Sequence, residues 1–355
     1  MKSLGNFPDP FIAEISGQPD ALRRAAVGLA SQTEALDALA TRRGGALVFA
    51  GMGSSYDACY PAVTALARDG VAAVMTDTAE LLHFRLPMLH TGDDLILVSQ
   101  SGESAETVRA AEQLRARGDA PRIVAVTNDP DSSLARVADL TLQTLAGEET
   151  GPSTMTFAAA LVVIGASALA IAGVRADEVA ERLHIDAEMT AAAIEDLLAR
   201  GTLADDLVTW HGGRATTVIL ARGGARAAAE MGALTLKEAV GMPVESLQTA
   251  QFRHGPLELA GPGLAAIVVA TEPETRALDL GLARELAETG AAVTVVSPEG
   301  TAPAGGLGVA TGTLERTVTP AVAVIPAQLL AWRLAVLRGR APGEFVYATK
   351  VTSHE

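Results

Sequence analysis

A pattern of short apolar runs separated by helical stretches occurs twice along this chain, with matching spacing. In the first occurrence "ALVFAGMG" (46–53), "VAAVMTD" (71–77), "DLILVSQSG" (94–102), "RIVAVTND" (122–129) and "LTLQT" (140–144) read as strands, with helical stretches such as 104–117 between them. In the second, "TTVILARGG" (216–224), "LAAIVVATEPET" (264–275) and "AVTVVSPEG" (292–300) read the same way. Strand runs alternating with helices predict parallel βαβ units, hence an α/β fold. Leu47 and Leu95 lie 48 residues apart, as do Val218 and Ala266; Ile96 to Ile123 is 27 and Ile267 to Val293 is 26. Two successive domains of similar topology, offset by roughly 171 residues, account for this. The boundary is expected near "ARGTLADDL" (199–207), after two helices over 157–200. The expected organisation is a helical segment at 1–30, a first domain at 31–203, a second at 204–342 and a tail at 343–355.

The core is constrained by composition. Of the 355 residues 49% are hydrophobic yet only 3% aromatic, so Ala, Val and Leu must fill it. Net charge is 27 − 42 = −15, a field that repels phosphate backbones and anionic lipid, so neither nucleic acid nor membrane is an expected partner. Cys59 is the single cysteine, which excludes an intrachain disulfide and a cysteine-cluster metal site and fits a cytoplasmic location. The start "MKSLGNFPDPFIAEI" has no apolar run of the kind a signal peptide carries. Phe157 to Val174 is uncharged over 18 residues, the lower edge of a membrane span. It is rich in Ala and Gly and lacks an aromatic belt, so a helix buried in the protein is the expected form.

The two copies differ where it matters. Ligands in open α/β sheets sit beyond the carboxyl ends of the strands. In the first copy those ends carry Ser54 and Ser55, then Ser99, Ser101 and Ser104, then Thr127. Where the first has "SQSGES", the second has "ATEPET". Ser and Gly at such turns are often only helix caps. Two hydroxyl-rich loops in one copy, absent from its sister, favour an anion site built from N–H groups, helix dipoles and hydroxyls, with Gly51, Gly53 and Gly102 allowing close backbone approach. "GMGSSY" is an incomplete dinucleotide fingerprint, because Tyr56 stands at the third glycine position. "SQSGES" is not a nucleophile elbow, and no P-loop, H-E-x-x-H or EF-hand pattern occurs. No cofactor and no metal are therefore expected.

A second stretch, Glu230 to Leu259, carries Glu238 in a helical run ended by Gly241 and Pro243, then His254 in the turn "FRHGPLEL". Alone, each is most simply a solvated side chain. Together they suit proton chemistry on a sugar phosphate: a histidine assists ring opening, and one carboxylate reaches both C1 and C2.

On these motifs the chain resembles the sugar isomerase (SIS) family, specifically the double-SIS isomerase half of glucosamine-6-phosphate synthase and its deaminase-like relatives, from about Ile15 onward. "GMGSSY" resembles the family's first sugar-phosphate loop, with Ser54 and Ser55 at its hydroxyl positions, and "SQSGES" its S-Q-S-G-E-[TS] loop. "GALTLKEA" resembles G-A-L-K-L-K-E, "FRHGPLEL" the K-H-G-P-L loop, and "YATKVTSHE" the closing A-K-S-V-T-V-E. The resemblance implies two flavodoxin-like SIS domains, each a parallel sheet with helices on both faces, plus a tail. It places Ser54, Ser55, Ser99, Gln100, Ser101, Ser104 and Glu149 as phosphate and substrate contacts, and Glu238, His254 and Lys350 as catalytic residues.

Three departures stand out. The sequence shows no glutaminase segment or N-terminal Cys nucleophile, so glutamine-dependent synthesis is not expected of this chain alone. Thr235 stands where the synthase has a lysine, and "GEETGPSTMTF" carries Met155 where lysine is usual. The expected activity is therefore that of a phosphosugar isomerase or deaminase acting on an amino-sugar or fructosamine-type 6-phosphate, most nearly glucosamine 6-phosphate. The alternatives are isomerisation or deglycation without ammonia release, and a non-catalytic sugar-phosphate sensor. By the same resemblance the expected assembly is a cytoplasmic homodimer in which the histidine loop completes the neighbour's site.

Overall fold

The computed structural model describes residues 9–41, 44–314 and 317–352. The first eight residues of the expected N-terminal segment and the last three of the expected tail lie outside them. The chain divides into two compact units. One takes residues 20–148, 155–188 and 348–352, the other 9–19, 149–154 and 189–347.

The first-sheet unit holds β1 (Leu47–Gly51), β2 (Val74–Asp77), β3 (Asp94–Val98), β4 (Arg122–Thr127) and β5 (Leu140–Gln143). All pair in parallel in the order β2-β1-β3-β4-β5. This is the flavodoxin-like arrangement, whose strand order reverses between β1 and β3. β1, β3 and β4 are buried along their whole length, which is why they read as unbroken apolar runs rather than alternating ones. Val48, Ala50, Leu95, Leu97, Ile123 and Ala125 pack with Ala110, Ala111 and Leu114 of the helix Ala105–Arg115.

The helix Met155–Ile171 also belongs to this unit, and all its residues except Met155 and Leu169 are buried. Its uncharged sequence is thus a core helix, as expected. The hydroxyl of Ser167 donates to the Val163 carbonyl at 2.9 Å, so the one mid-helix polar side chain is satisfied.

The second-sheet unit holds β6 (Thr216–Ala221), β7 (Glu245–Gln248), β8 (Leu264–Val269), β9 (Ala292–Ser297) and β10 (Leu307–Ala310), again all parallel, in the order β10-β9-β8-β6-β7. Counted from its own first strand this is the same topology, so the internal repeat is real at the level of strand order. Val218, Leu220, Ala266, Val268, Val293 and Val295 pack with Phe252, Leu282 and Leu286. The helix Arg226–Thr235 approaches closely at Gly232, where a Cβ would stand 2.8 Å from the Ala327 Cβ and 3.0 Å from the Ile219 Cδ1. A buried amide pair, Gln18 Nε2 to Gln328 Oε1 at 2.8 Å, ties the N-terminal residues to the helix Ile325–Leu337. One helical run among the described residues, Thr319–Leu337, is long and apolar enough to cross a membrane. Of its apolar window 78% is buried inside the protein, as in a core helix.

Candidate functional site

The hydroxyl loops emerge where the first sheet's strand order reverses. β1 ends at Gly51, paired with Val98 at the end of β3, so the two following loops start side by side. A Cβ on Gly51 would meet the Ser55 and Tyr56 backbone and the Val98 carbonyl at 3.0 Å, so only glycine lets the chain fold back this tightly. Gly53 has φ +51°, and the helix Ser54–Asp57 follows at once with Ser54 and Ser55 half-buried.

The second loop is built from its own hydrogen bonds. Ser99, 2% exposed, places its Oγ 3.1 Å from the Ser104 Oγ and accepts the Gly102 N–H at 3.2 Å. Ser101 Oγ accepts the Glu103 N–H at 3.1 Å. The Gln100 carbonyl takes the Asn128 N–H and the Thr127 hydroxyl, anchoring this loop to the end of β4. Gly102 has φ +64°, and a Cβ there would fall 2.1 Å from the Ser132 Oγ.

Ser104 separates a cap from a cradle. It occupies the position before the helix Ala105–Arg115, with extended φ and ψ, yet its side chain makes no capping hydrogen bond. Ser132 and Asp77, in the same position before other helices, do cap, accepting the N–H groups of Ala135 and Glu80. The Ser104 hydroxyl is held beside Ser99 instead. The only charge in the loop, Glu103, accepts the Ser133 N–H at 2.7 Å, and that bond holds its carboxyl below the usual range. It is thereby spent on the start of the helix Ser133–Val137.

A small cleft at these strand ends is lined by Ser54, Ser55 and Gln100, and also by Thr144 and Thr156. Sequence reasoning passed over those two threonines. Thr144 follows β5 and is bonded to Asn128 Oδ1 at 3.2 Å; Thr156 is 4% exposed in the first turn of the helix Met155–Ile171. A lone threonine in the first turn of an uncharged helix carries no signal that sets it apart. Leu145, next to Thr144, is the only non-glycine among the described residues with positive φ, at +51°. Arg24 on its carbonyl and on that of Ala146, and Asn128 on the Ala146 N–H, hold this turn.

The tail joins the same unit. The Thr352 carbonyl accepts the Ala105 N–H at 3.2 Å, so the segment carrying half-buried Lys350 is fixed at the first N–H of the helix that follows the hydroxyl loop. The structure therefore brings together Ser54, Ser55 and Gln100 in one cleft, Ser99 and Ser104 in one hydrogen bond, and the Lys350 segment beside them.

Glu149, Glu238 and His254 belong to the second-sheet unit. Glu149 is buried, and its Oε1 accepts the Thr154 N–H and hydroxyl at 2.8 and 2.9 Å. Glu14 likewise accepts from Thr150 N–H and Oγ1 and from the Gly151 N–H, so two buried carboxylates shape the loop 149–154. Glu238 is half-buried in a single π-helical turn, Leu236–Val240, that ends at Gly241 with φ +66°. Such wide turns are frequent at functional positions. Thr235 is fully buried and its hydroxyl donates to the Met231 carbonyl at 2.8 Å, so it offers nothing to a ligand. His254 is exposed, just past the helix Thr249–Phe252.

Fold and loops define a double flavodoxin-like protein with a hydroxyl-lined cradle on the first sheet. The model for the SIS domain matches residues 31–170 and 214–338, and the chain belongs to the SIS domain family. It is 32% identical over 355 residues to the glutamine–fructose-6-phosphate aminotransferase (isomerizing) of Pyrobaculum aerophilum, covering 96% of this chain and 57% of that protein. The chain thus spans little more than half the length of that relative. Among solved structures it resembles the C-terminal domain of glucosamine-fructose-6-phosphate aminotransferase from Francisella tularensis, with TM-score 0.83, 23% identity and coverage of 94% and 97%. It also resembles glucosamine-6-phosphate deaminase from Thermotoga maritima, with TM-score 0.73, 20% identity and coverage of 96% and 99%.

Proposed function

We propose that this chain is an enzyme of the phosphosugar isomerase type, acting on an amino-sugar or fructosamine-type 6-phosphate, with glucosamine 6-phosphate as the leading substrate. The observation that carries the reading is the Ser99–Ser104 hydroxyl pair: a serine in the cap position of an eleven-residue helix that does not cap, next to a fully apolar strand end. Hydroxyls and N–H groups without a basic side chain suit a phosphate in a protein of net charge −15. In this reading Ser54, Ser55, Ser99, Gln100, Ser101 and Ser104 hold the phosphate and adjacent hydroxyls, and Lys350 positions the open chain. Glu149 acts through the loop 149–154, whose shape it fixes.

Proton chemistry follows from the two remaining groups. His254 gives a proton to the ring oxygen as the C1–O5 bond breaks, leaving the C1 aldehyde. Glu238 takes the C2 proton and returns it to C1 while one amine proton passes to the C1 oxygen, converting the amino aldose into a C2 imine with a C1 hydroxyl. Water then adds at C2, the C–N bond breaks, and ammonia leaves with formation of the ketose phosphate. Buried Thr235 supplies no amine at a position where the synthase motif has lysine, which favours this direction over amination. The exposure of His254 supports a homodimer in which its loop completes the neighbour's site.

The test is a panel of hexose and hexosamine 6-phosphates, with ammonia and ketose scored separately. Glucosamine 6-phosphate is expected to give both in equal amounts, and Glu238→Gln is expected to abolish them. Turnover of every sugar unchanged by Glu238→Gln sinks the mechanism, and full activity in a sedimenting monomer sinks the shared site. Ketose formed without ammonia redirects the reading to aldose–ketose isomerisation.

A further inference from the structure

The two sheets repeat strand for strand, so pairing register sets residues of one copy against the other. Gly51 pairs with Val98 at the end of the first copy, and Ala221 with Val269 at the end of the second. Counting onward, Gly53 matches Gly223, Ser55 matches Ala225, Ser101 matches Glu272 and Ser104 matches Thr275. The glycines agree in backbone as well, with φ +51° and +55°.

Glu272 therefore stands where the first copy has a cradle serine. Its Oε1 accepts the Ala225 N–H at 2.9 Å, and a Cβ on Gly223 would lie 3.3 Å from its Cδ. One carboxylate thus crosses from the loop after β8 to the loop after β6, over the point where the strand order reverses. In the first copy the matching Ser101 is too short to cross, and its Oγ is used within its own loop by the Glu103 N–H. Next to Glu272 the second copy adds an ion pair of half-buried Arg222 with buried Asp279, at 2.9 Å, where the first has Met52 and an uncharged partner position, Val108.

The geometry points to a second anion cradle closed by the chain's own Glu272 carboxylate, so that each chain takes up one phosphorylated ligand rather than two. Glu272 holds by its own charge the place that ligand oxygens take on the first sheet. The inference rests on the reading of the first cradle as a phosphate site, and it assigns Glu272 a role in stoichiometry, not in catalysis.

Inorganic phosphate is the probe, titrated calorimetrically into the full chain. Wild type is expected to bind one phosphate per chain and Glu272→Ser two. With the first cradle cut by Ser99→Ala and Ser104→Ala, the chain is expected to bind none, and the further Glu272→Ser change to restore one. Two phosphates on wild type, or no gain in Glu272→Ser, overturns the inference. Should Glu272→Ser not fold, Glu272→Ala likewise frees the Ala225 N–H and removes the charge. Phosphate is then expected to raise its Tm in the cut-cradle background, and a Tm indifferent to phosphate overturns the inference as well. Failure of the first cradle is separable: wild type then binds no phosphate, whatever the variants at 272 do.

Discussion

Among the described residues each sheet carries a largely buried arginine–aspartate pair, and the two pairs sit at opposite ends of their strands. On the first sheet Arg122 and Asp94 meet at 2.7 Å, and both are the opening residues of their strands. The carboxyl ends are left to serines and glycines. On the second sheet Arg222 directly follows β6 and meets Asp279 at 2.9 Å, so the charges occupy the carboxyl end itself, with Glu272 beside them. Two sheets of one topology thus fill their carboxyl ends differently, and a handful of substitutions separates a hydroxyl-lined end from one satisfied by its own charges.

The sharpest way to break this contrast is to remove the second sheet's cation. The Asp279 side chain is 1% exposed, and burial pushes its carboxyl up while Arg222 works against that. Arg222→Met leaves the carboxylate buried and unpaired, which costs about 3–5 kcal/mol. Urea unfolding at neutral pH should show that loss. The deficit should shrink in acid, since protonating Asp279 removes the uncompensated charge. A loss under about 1 kcal/mol would mean the pair is not what stabilises that end.

The next test compares matching loop positions, Gly102 and Pro273. Gly102→Ala forces a Cβ into the Ser132 side chain at positive φ. A cost of about 1–3 kcal/mol is expected from overpacking alone, together with loss of phosphosugar turnover because the cradle must shift. Pro273 is exposed, and Pro273→Ala is expected to cost no more than about 1 kcal/mol, through the unfolded chain. Equal effects at the two positions would deny that the loops differ in tightness.

Ser104 and Ser132 supply a finer comparison within the first sheet. Ser132→Ala removes a true cap and should cost about 1 kcal/mol of stability. Ser104→Ala has no capping bond to lose, so its effect should appear in KM for the phosphosugar, raised about tenfold for one lost hydrogen bond to a charged group. If Ser104→Ala lowers the urea midpoint as Ser132→Ala does and leaves KM alone, Ser104 is structural.

What could be read beforehand followed from burial. β1, β3, β4, β6, β8 and β9 are covered on both faces and announce themselves as apolar runs. β7 and β10 were not legible: they are four-residue edge strands like β2 and β5, but "ESLQ" is mostly polar and "LGVA" is broken by a glycine, so neither makes an apolar run. The hydroxyl loops were legible because serine clusters stand out against their sister loop. Thr144 and Thr156 were not, since a lone threonine beside a strand or inside a helix looks like any other. Nor did the sequence foretell the π-helical turn around Glu238: "LTLKEAVG" reads as ordinary helix ended by Gly241. The role of Glu272 was hidden too, because "ATEPET" looks merely like the absence of a cradle until its carboxylate is seen on the Ala225 N–H.

The smallest effect concerns acid. Of the described histidines, His83, His90 and His184 in the first-sheet unit are exposed, as is His254, whereas His211 is fully buried beside Trp210. Its Nε2 shares a hydrogen bond with Thr217 Oγ1 at 3.1 Å, while Nδ1 has no partner. Burial first, then the positive charges of Arg338 and Arg214, hold its pKa below the ordinary value. The unfolded chain, with an ordinary histidine, takes up a proton as pH falls through about 6.5, and the folded chain does not. His211 therefore favours the folded state fully above that pH and progressively less below it. The measurement is the urea midpoint of wild type minus that of His211→Gln between about pH 8 and 5. The difference should narrow or reverse toward acid; a constant difference would mean that His211 titrates alike in both states and that the second-sheet unit carries no acid sensitivity of this origin.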